Sequence, residues 1–362
     1  MIKSAYIHIP FCDTICSYCD FSKVYKNKDW IDKYLIELKK EIEINYKGEL
    51  LDTIYIGGGT PSCLDLNELQ KLFNIIKKFK LSKNYEFTFE CNIESIDNDK
   101  LNLLYKNGVN RLSIGVQTFN NHLLKYLNRN HSKDVVFEKI KDMKKIGFKN
   151  ISIDLIYAIP NETIDNLKYD IDNFLKLDIN HISTYSLIIE PNTKLYIKNQ
   201  EYIDEELDYS MYNYICERLK ENGFIHYEIS NFSKKGYESK HNLTYWNNLE
   251  YYGFGLSACG YIDNIRYDNT RNLNKYLNGS YLMNSNKVSR DEQIENEFIF
   301  GLRKINGINK NDFFTKYNID IKSIDPVNRL LKEKKLLENN ENIFINPKYI
   351  YTSNNILIEF IK

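Results

Sequence analysis

Residues 8–21 read HIPFCDTICSYCDF and set Cys12, Cys16 and Cys19 in a C-x3-C-x2-C pattern. Just upstream, AYIHI (5–9) has the β-branched and aromatic character of a strand, so the three thiols belong to the loop that leaves it. Thiolates are soft ligands that suit iron–sulfur clusters and zinc. A structural zinc ion takes four protein ligands. Here the only further candidates are His8, inside the expected strand, and Cys63, far downstream. A cubane cluster held by three cysteines leaves one iron with an open position for a ligand.

Working outward, short β-branched runs alternate with longer helical patterns. The expected strands are 5–9, 52–57, 85–90, 110–115, 150–155 and 181–187. Between them, WIDKYLIELKKEIEI (30–44) places Ile31, Leu35, Leu38 and Ile42 on one helical face, and segments 66–79 and 166–177 repeat that pattern. Gly108 and Gly147 stand where helix stops belong. Six βα units imply a parallel sheet, because parallel strands need crossovers. The fold class expected is α/β, an open partial (β/α)6 TIM-like barrel, with a flat doubly wound sheet as the alternative.

After residue 200 the rhythm changes. A helix is expected over 204–219, a strand over FIHYEISNF (224–232), and then a Gly- and aromatic-rich stretch. Three helices and a hairpin over 341–352 resemble a small winged-helix-like α+β domain. The division expected is 1–200 for the barrel, 201–286 for a connecting region and 287–362 for the C-terminal domain. The wing carries no Arg/Lys stripe, so it is read as a packing element.

Lysine plus arginine equals aspartate plus glutamate at 49 each, a balance that argues against a nucleic-acid partner. No run approaches the ~18 apolar residues of a membrane span. The N-terminus is too polar for a signal peptide. A cytoplasmic location follows, and seven cysteines in a reducing compartment point to metal or redox chemistry more than to disulfides.

Barrel-like folds collect functional groups at the C-terminal ends of strands. The second strand ends in GGGTP (57–61), whose glycines let backbone approach a ligand with free amides. The third ends at Glu90, the fourth leads to Gln117, a helix-like stretch carries Arg129, and the fifth strand bears Asp154. A carboxylate there can simply cap the next helix, but polar groups at successive strand ends together resemble a binding surface.

The cysteine spacing after a first strand resembles the radical S-adenosylmethionine (SAM) superfamily. There the open iron chelates SAM, and electron transfer cleaves it to methionine and a 5′-deoxyadenosyl radical. YIHIPFC, IYIGGGTPS, NRLSIGVQTFN, IDLIYAIP, YSLIIEPNT and HNLTYW together are similar to the family of oxygen-independent coproporphyrinogen III oxidase-like proteins, over nearly the whole chain. The resemblance implies a 4Fe–4S cluster on Cys12, Cys16 and Cys19. It implies SAM against Tyr6, Gly58, Gly59, Thr60, Glu90, Gln117, Arg129 and Asp154, with Tyr18 beside the cluster.

That family has an oxidase branch, which decarboxylates porphyrinogen propionates, and a heme-chaperone branch. The oxidase pattern has a further cysteine where Phe21 stands here, and an N-terminal extension ahead of the first strand, whereas here the expected strand begins almost at once. HNLTYW (241–246) matches the chaperone branch's heme-associated motif, so His241, Tyr245 and Trp246 are the implied heme contacts. A buried His–Asn pair holding a loop is the plainer reading of that motif. The chaperone branch is therefore expected, with heme and recipient hemoproteins as partners and peripheral contact with membrane hemoproteins. The electron donor would be of the flavodoxin or ferredoxin type, and the chain a monomer or homodimer. Two departures matter: Ala158 replaces a usual glycine in IYAIP, and Cys259 a usual histidine in GLSACGY. Cys63, Cys91 and Cys216 read as small buried residues.

Overall fold

The structure is a computed structural model describing residues 2–191, 193–198 and 200–361. Asn192 of the YSLIIEPNT motif lies outside the described residues. Six parallel strands form the body: β1 (Ser4–Ile9), β2 (Leu50–Gly58), β3 (Lys80–Asn92), β4 (Arg111–Gln117), β5 (Asn150–Tyr157) and β6 (His181–Ser186). Each lies beside its predecessor in sequence. The crossovers contain the helices α1 (Lys28–Asn45), α2 (Leu66–Ile76), α3 (Asn98–Lys106), α4 (Lys133–Ile146) and α5 (Ile164–Lys176). Capping fixes their starts, with an Asp65–Glu68 box opening α2 and a Thr163–Asn166 box opening α5.

The sheet continues past residue 200 into nine strands. After helix α6 (Glu205–Glu221), β7 (Ile225–Glu228) and β8 (Asn231–Ser233) extend it antiparallel beyond β6, while β9 (Tyr252–Phe254) pairs parallel with β1. The segment expected as one strand, FIHYEISNF, is thus two, reversed at Ile229–Ser230. This open arc is the partial barrel of the expected α/β class.

Alternation within the strands fills the two faces differently. In β4, Leu112, Ile114 and Val116 are fully buried in the apolar layer, whereas Arg111, Ser113 and Gly115 line the interior. TIM-barrel interiors are ordinarily packed with branched apolar side chains. This one is polar and hollow.

Helix α7 (Lys240–Trp246) carries HNLTYW and closes the barrel near the strand starts. The Glu86 carboxylate of β3 accepts the backbone N–H groups of Lys240 and His241 at 3.1 and 3.0 Å, and Thr244 bonds Ser4 of β1 at 2.8 Å. The C-terminal region has an apolar core of its own around Phe298, Leu330 and Ile343. It contains α8 (Arg290–Gly301), α9 (Lys310–Tyr317), α10 (Asp325–Lys332) and a small sheet from Ile308–Asn309, Leu336–Glu338 and Asn342–Ile345. The hairpin forms over 336–345 rather than 341–352, because Pro347 starts a 3-10 turn at Pro347–Tyr349. No helix among the described residues is long and apolar enough to cross a membrane.

Candidate functional site

One cavity of about 450 Å³ runs from the cysteine loop into the barrel interior, and all three cysteines line it. Two backbone bridges hold the loop, from Val24 N to Pro10 O (2.8 Å) and from Lys26 N to Cys12 O (2.9 Å). Ser17 is tied to Leu127 and Leu195, and Lys23 donates to the Cys19 carbonyl at 2.6 Å. The thiols are free and face the same space. Burial pushes Cys12 up to about 11 and raises Cys19 as well. A cation in that space would lower both, so metal capture releases protons. No three His, Cys, Asp or Glu side chains among the described residues converge at the spacing of a single ion. A soft three-thiol rim around a larger volume suits an iron–sulfur cluster whose open side faces the cavity.

The GGGTP turn departs from expectation. Its amides are already used: Gly58 N donates to Glu90 Oε2 (3.0 Å), Gly59 N to Ile9 O (2.8 Å) and Thr60 N to Phe11 O (2.8 Å). The glycines serve close packing within the protein. A Cβ at Gly57 would come 2.6 Å from the Glu90 carboxyl carbon, and one at Gly59 would come 2.8 Å from Phe11 O. Gly58 adopts φ of +117°, open to glycine at little cost.

At the strand ends, Glu90 also accepts from Tyr55 OH at 2.6 Å, and burial pushes its carboxyl up to about 7. Asp154 is raised by burial too, with Ser183 and Ser113 beside it. Gln117 takes φ of +71° where the β4–β5 register slips, a strained backbone that aims its side chain inward. Arg129 sits in the loop after helix Asn121–Tyr126 rather than within a helix. Its Nε and Nη2 donate to the two oxygens of Glu94 at 3.0 and 2.8 Å, and Nη2 also reaches Gly115 O at 2.8 Å. His131 and Asn130 N complete the partners of Glu94, holding its carboxyl well below the usual range. Tyr18 lies against Cys16 and Arg129.

Every expected strand-end residue except Tyr6 lines this cavity. Tyr6 packs beside Tyr55 and its hydroxyl bonds His8 Nδ1 at 3.0 Å. His241, Tyr245 and Trp246 do not line it either. His241 is 1% exposed and both its nitrogens are engaged, by Thr53 Oγ1 and Tyr245 OH at 2.8 Å each. In this conformation it is not an open iron ligand, because burial behind β2 spends both nitrogens on the barrel. The plainer reading, a buried His–Asn pair holding a loop, is met only in part, because the buried His241 pairs with Thr53 and Tyr245 while Asn242 lines the cavity. Cys216 is half-buried rather than buried, and Cys91 reaches the cavity wall.

Sequence reasoning missed Glu94, Tyr55, Arg111 and Asn242 at this site. Glu94 and Asn242 stand in loop or helix contexts with no local signal. Arg111 was legible by alternation, two residues before Ser113 and four before Gly115.

A family model described as the Radical SAM superfamily matches residues 6–173. The heme chaperone HemW of Lactococcus lactis is 40% identical, covering 99% of this chain and 97% of its own. That of Bacillus subtilis is 41% identical, covering 94% of each chain. The chain belongs to the HemW family of the radical SAM superfamily. Membership implies a 4Fe–4S cluster and SAM. Coproporphyrinogen III oxidase (HemN) of Escherichia coli superposes with a TM-score of 0.87 at 21% identity, covering 99% of this chain and 90% of its own, which establishes the shared fold.

Proposed function

We propose that this HemW-family protein is a cytoplasmic heme chaperone that holds a 4Fe–4S cluster and SAM in its barrel and passes heme to hemoproteins. One observation carries the reading: three thiols and the strand-end polar groups meet in a single cavity, in a chain 40% identical to a heme chaperone over 99% of its length. Cys12, Cys16 and Cys19 would hold the cluster. Gln117, Arg129, Asp154 and Glu90 would hold SAM, with Tyr18 beside the cluster and Thr60 near Cys12. Together the two groups supply a low-potential electron and a cleavable sulfonium.

The chain's own residues do the positioning. The glycine turn locks the Glu90 carboxyl against Gly58 and Tyr55, with an affinity for protons near neutrality. Glu94 fixes the Arg129 fork and leaves its Nη1 edge free of that ion pair. Phe21 and Ile188 stand exposed at the cavity mouth.

For heme, the proposed contact is the outward side of the HNLTYW segment rather than His241. Leu243 and Asn247 line two adjoining cavities of about 970 and 960 Å³, room enough for a macrocycle. Trp246 lies beneath Arg303, its buried Nε1 without a partner among the described residues. Receiving hemoproteins, an electron donor of the flavodoxin or ferredoxin type, and peripheral contact with membrane hemoproteins belong to the same proposal. So does the functional division at about residues 200 and 287.

The test is anaerobic reconstitution with iron and sulfide, followed by SAM, reductant and either heme or coproporphyrinogen III. Stoichiometric heme binding and transfer to an apo-hemoprotein are expected. Formation of protoporphyrinogen IX would replace this reading with an oxidase.

A further inference from the structure

A file of aromatic rings joins the hollow of the barrel to a second cavity. Tyr55 of β2 lines the barrel cavity, and its ring centroid lies 5.1 Å from that of His241. His241 lies 5.1 Å from Tyr245, and Tyr245 lies 4.7 Å from Tyr251. Tyr251 and Cys259, with Arg266 and Asp268, line a separate cavity of about 490 Å³. The Cys259 thiol is exposed and donates to Asp268 Oδ1 at 2.8 Å. Tyr251 and Cys259 both act electrostatically on Tyr245, so the three groups stand together.

Packing accounts for the rings, and a tyrosine hydroxyl in a core usually finds a partner. Here the partners are titratable groups at successive stations. Tyr55 donates to Glu90 Oε1 at 2.6 Å, and the Tyr245 hydroxyl bonds His241 Nε2 at 2.8 Å. Burial lowers His241 to about 3 and so keeps it neutral. A phenol that loses an electron becomes a far stronger acid than a carboxyl or an imidazolium, so its proton moves to a base already in place. Phenol–base pairs at ring contact, ending on a thiol–carboxylate pair, are the parts a one-electron path requires.

We propose that Tyr55 and Tyr245 carry an oxidising equivalent from the barrel cavity, past the Tyr251 ring, to the Cys259 thiol, where a radical formed without a substrate is quenched. The inference rests on the reading of this cavity as the SAM site, which supplies a carbon-centred radical. Tyr55 gives that radical a hydrogen atom: the phenolic O–H bond breaks and a C–H bond forms. An electron from Tyr245 and a proton from the Glu90 carboxyl, raised to about 7, restore Tyr55, while the Tyr245 proton moves to His241. Cys259 then gives an electron to Tyr245, which recovers its proton from His241, and the thiol proton passes to Asp268. Asp268 releases one proton to solvent and Glu90 regains one. The sum is carbon radical plus thiol giving C–H plus thiyl, and a low-molecular-weight thiol returns a hydrogen atom to the Cys259 sulfur.

The experiment uses the full chain in wild-type, Cys259→Ser, Tyr245→Phe and Cys216→Ser forms. In one arm, without cluster or SAM, azide radicals from pulse radiolysis oxidise tyrosines directly, and tyrosyl absorbance is followed in time. The wild type should show a decay phase that Cys259→Ser and Tyr245→Phe both lose and Cys216→Ser keeps. In the other arm, the anaerobically reconstituted protein receives SAM, reductant and a nitrone spin trap, and mass spectrometry maps the adduct. The adduct is expected on Cys259 in the wild type and is lost from it in Tyr245→Phe. Release of 5′-deoxyadenosine by the wild type checks the SAM reading separately; where none forms, that reading fails and the first arm still decides the path. Cys259→Ser alters one exposed atom, so its result stands even where Tyr245→Phe unfolds. The same decay in Cys259→Ser as in the wild type, or 5′-deoxyadenosine released with no adduct on Cys259, would overturn the proposal.

Discussion

The two arginines of the cavity are treated in opposite ways. Near the mouth, Arg129 is clamped by both oxygens of Glu94 and by a strand carbonyl, inside a net that also takes in His131 and Asn130. At the inner end, Arg111 has no hydrogen-bond partner at Nε and no ion pair among the described residues. The mouth is therefore preorganised by direct ion pairing within the chain, whereas at the inner end the Arg111 charge acts on Glu90 and Asp154 without a direct ion pair. Preorganised groups around an absent ligand mark a site built to receive it in one pose.

Removing one thiol attacks the mouth most directly. Cys16→Ser should abolish stoichiometric iron and sulfide uptake, read by metal analysis and the visible absorbance of the reconstituted protein. A full cluster in that variant would show that the three cysteines are not its ligands. Far-UV circular dichroism should be unchanged, because Cys16 is only half-buried and packs little of the core.

Glu94→Gln tests the clamp. The Arg129 and Glu94 side chains are only 3% and 27% exposed, so leaving the guanidinium without its partner should cost about 3–5 kcal/mol in denaturant unfolding. The depressed Glu94 carboxyl also sets a sign with pH. Its contribution is present above the ordinary carboxylate value of 4.5 and disappears only as pH falls well below it.

His241→Ala probes the helix that closes the barrel. It leaves Thr53 and Tyr245 hydroxyls unpaired in the interior, for an expected loss of ~2–4 kcal/mol. Heme titration should change little. A collapse of heme affinity at unchanged stability would instead make His241 the iron ligand and require α7 to swing out on loading.

Much of this was legible in the chain. The six strand runs and the C-x3-C-x2-C spacing fixed an α/β arc with thiols at one end, because both signals are local. The two-residue period inside NRLSIG even put Arg111 on the hollow face. What stayed hidden depends on partners distant in sequence. Glu94 meets Arg129 across 35 residues, and His241 meets Thr53 across 188. The GGGTP amides looked free because their acceptors are distant in sequence, Ile9 and Phe11 about 50 residues earlier and Glu90 32 residues later.

Glu90→Gln carries the comparison into pH. A carboxyl raised to about 7 from 4.5 binds more protons folded than unfolded within that window, so it makes stability fall as pH rises through it. Asp170 and Glu228, each pushed to about 7 by burial, act in the same direction. The empty wild-type protein should unfold more easily at pH 8 than at pH 5.5. Glu90→Gln should make that slope shallower, by at most about 1.4 kcal/mol per pH unit.

The smallest effect concerns Ala158, just past β5. It holds φ of +59°, a left-handed conformation that strains any residue with a Cβ. Ala158→Gly removes that strain but also loosens the unfolded chain, a loss of about 0.4–1 kcal/mol that offsets part of the gain. The net expected is a stabilisation of up to about 1 kcal/mol, read as a higher denaturant midpoint at unchanged slope. SAM affinity should be unchanged, because Ala158 does not line the cavity. Weaker SAM binding in the glycine variant would mean that the strained turn holds the end of β5, and Asp154 with it, in place. The preorganisation assigned to the mouth would then extend one turn further along the chain than Arg129 and Glu94.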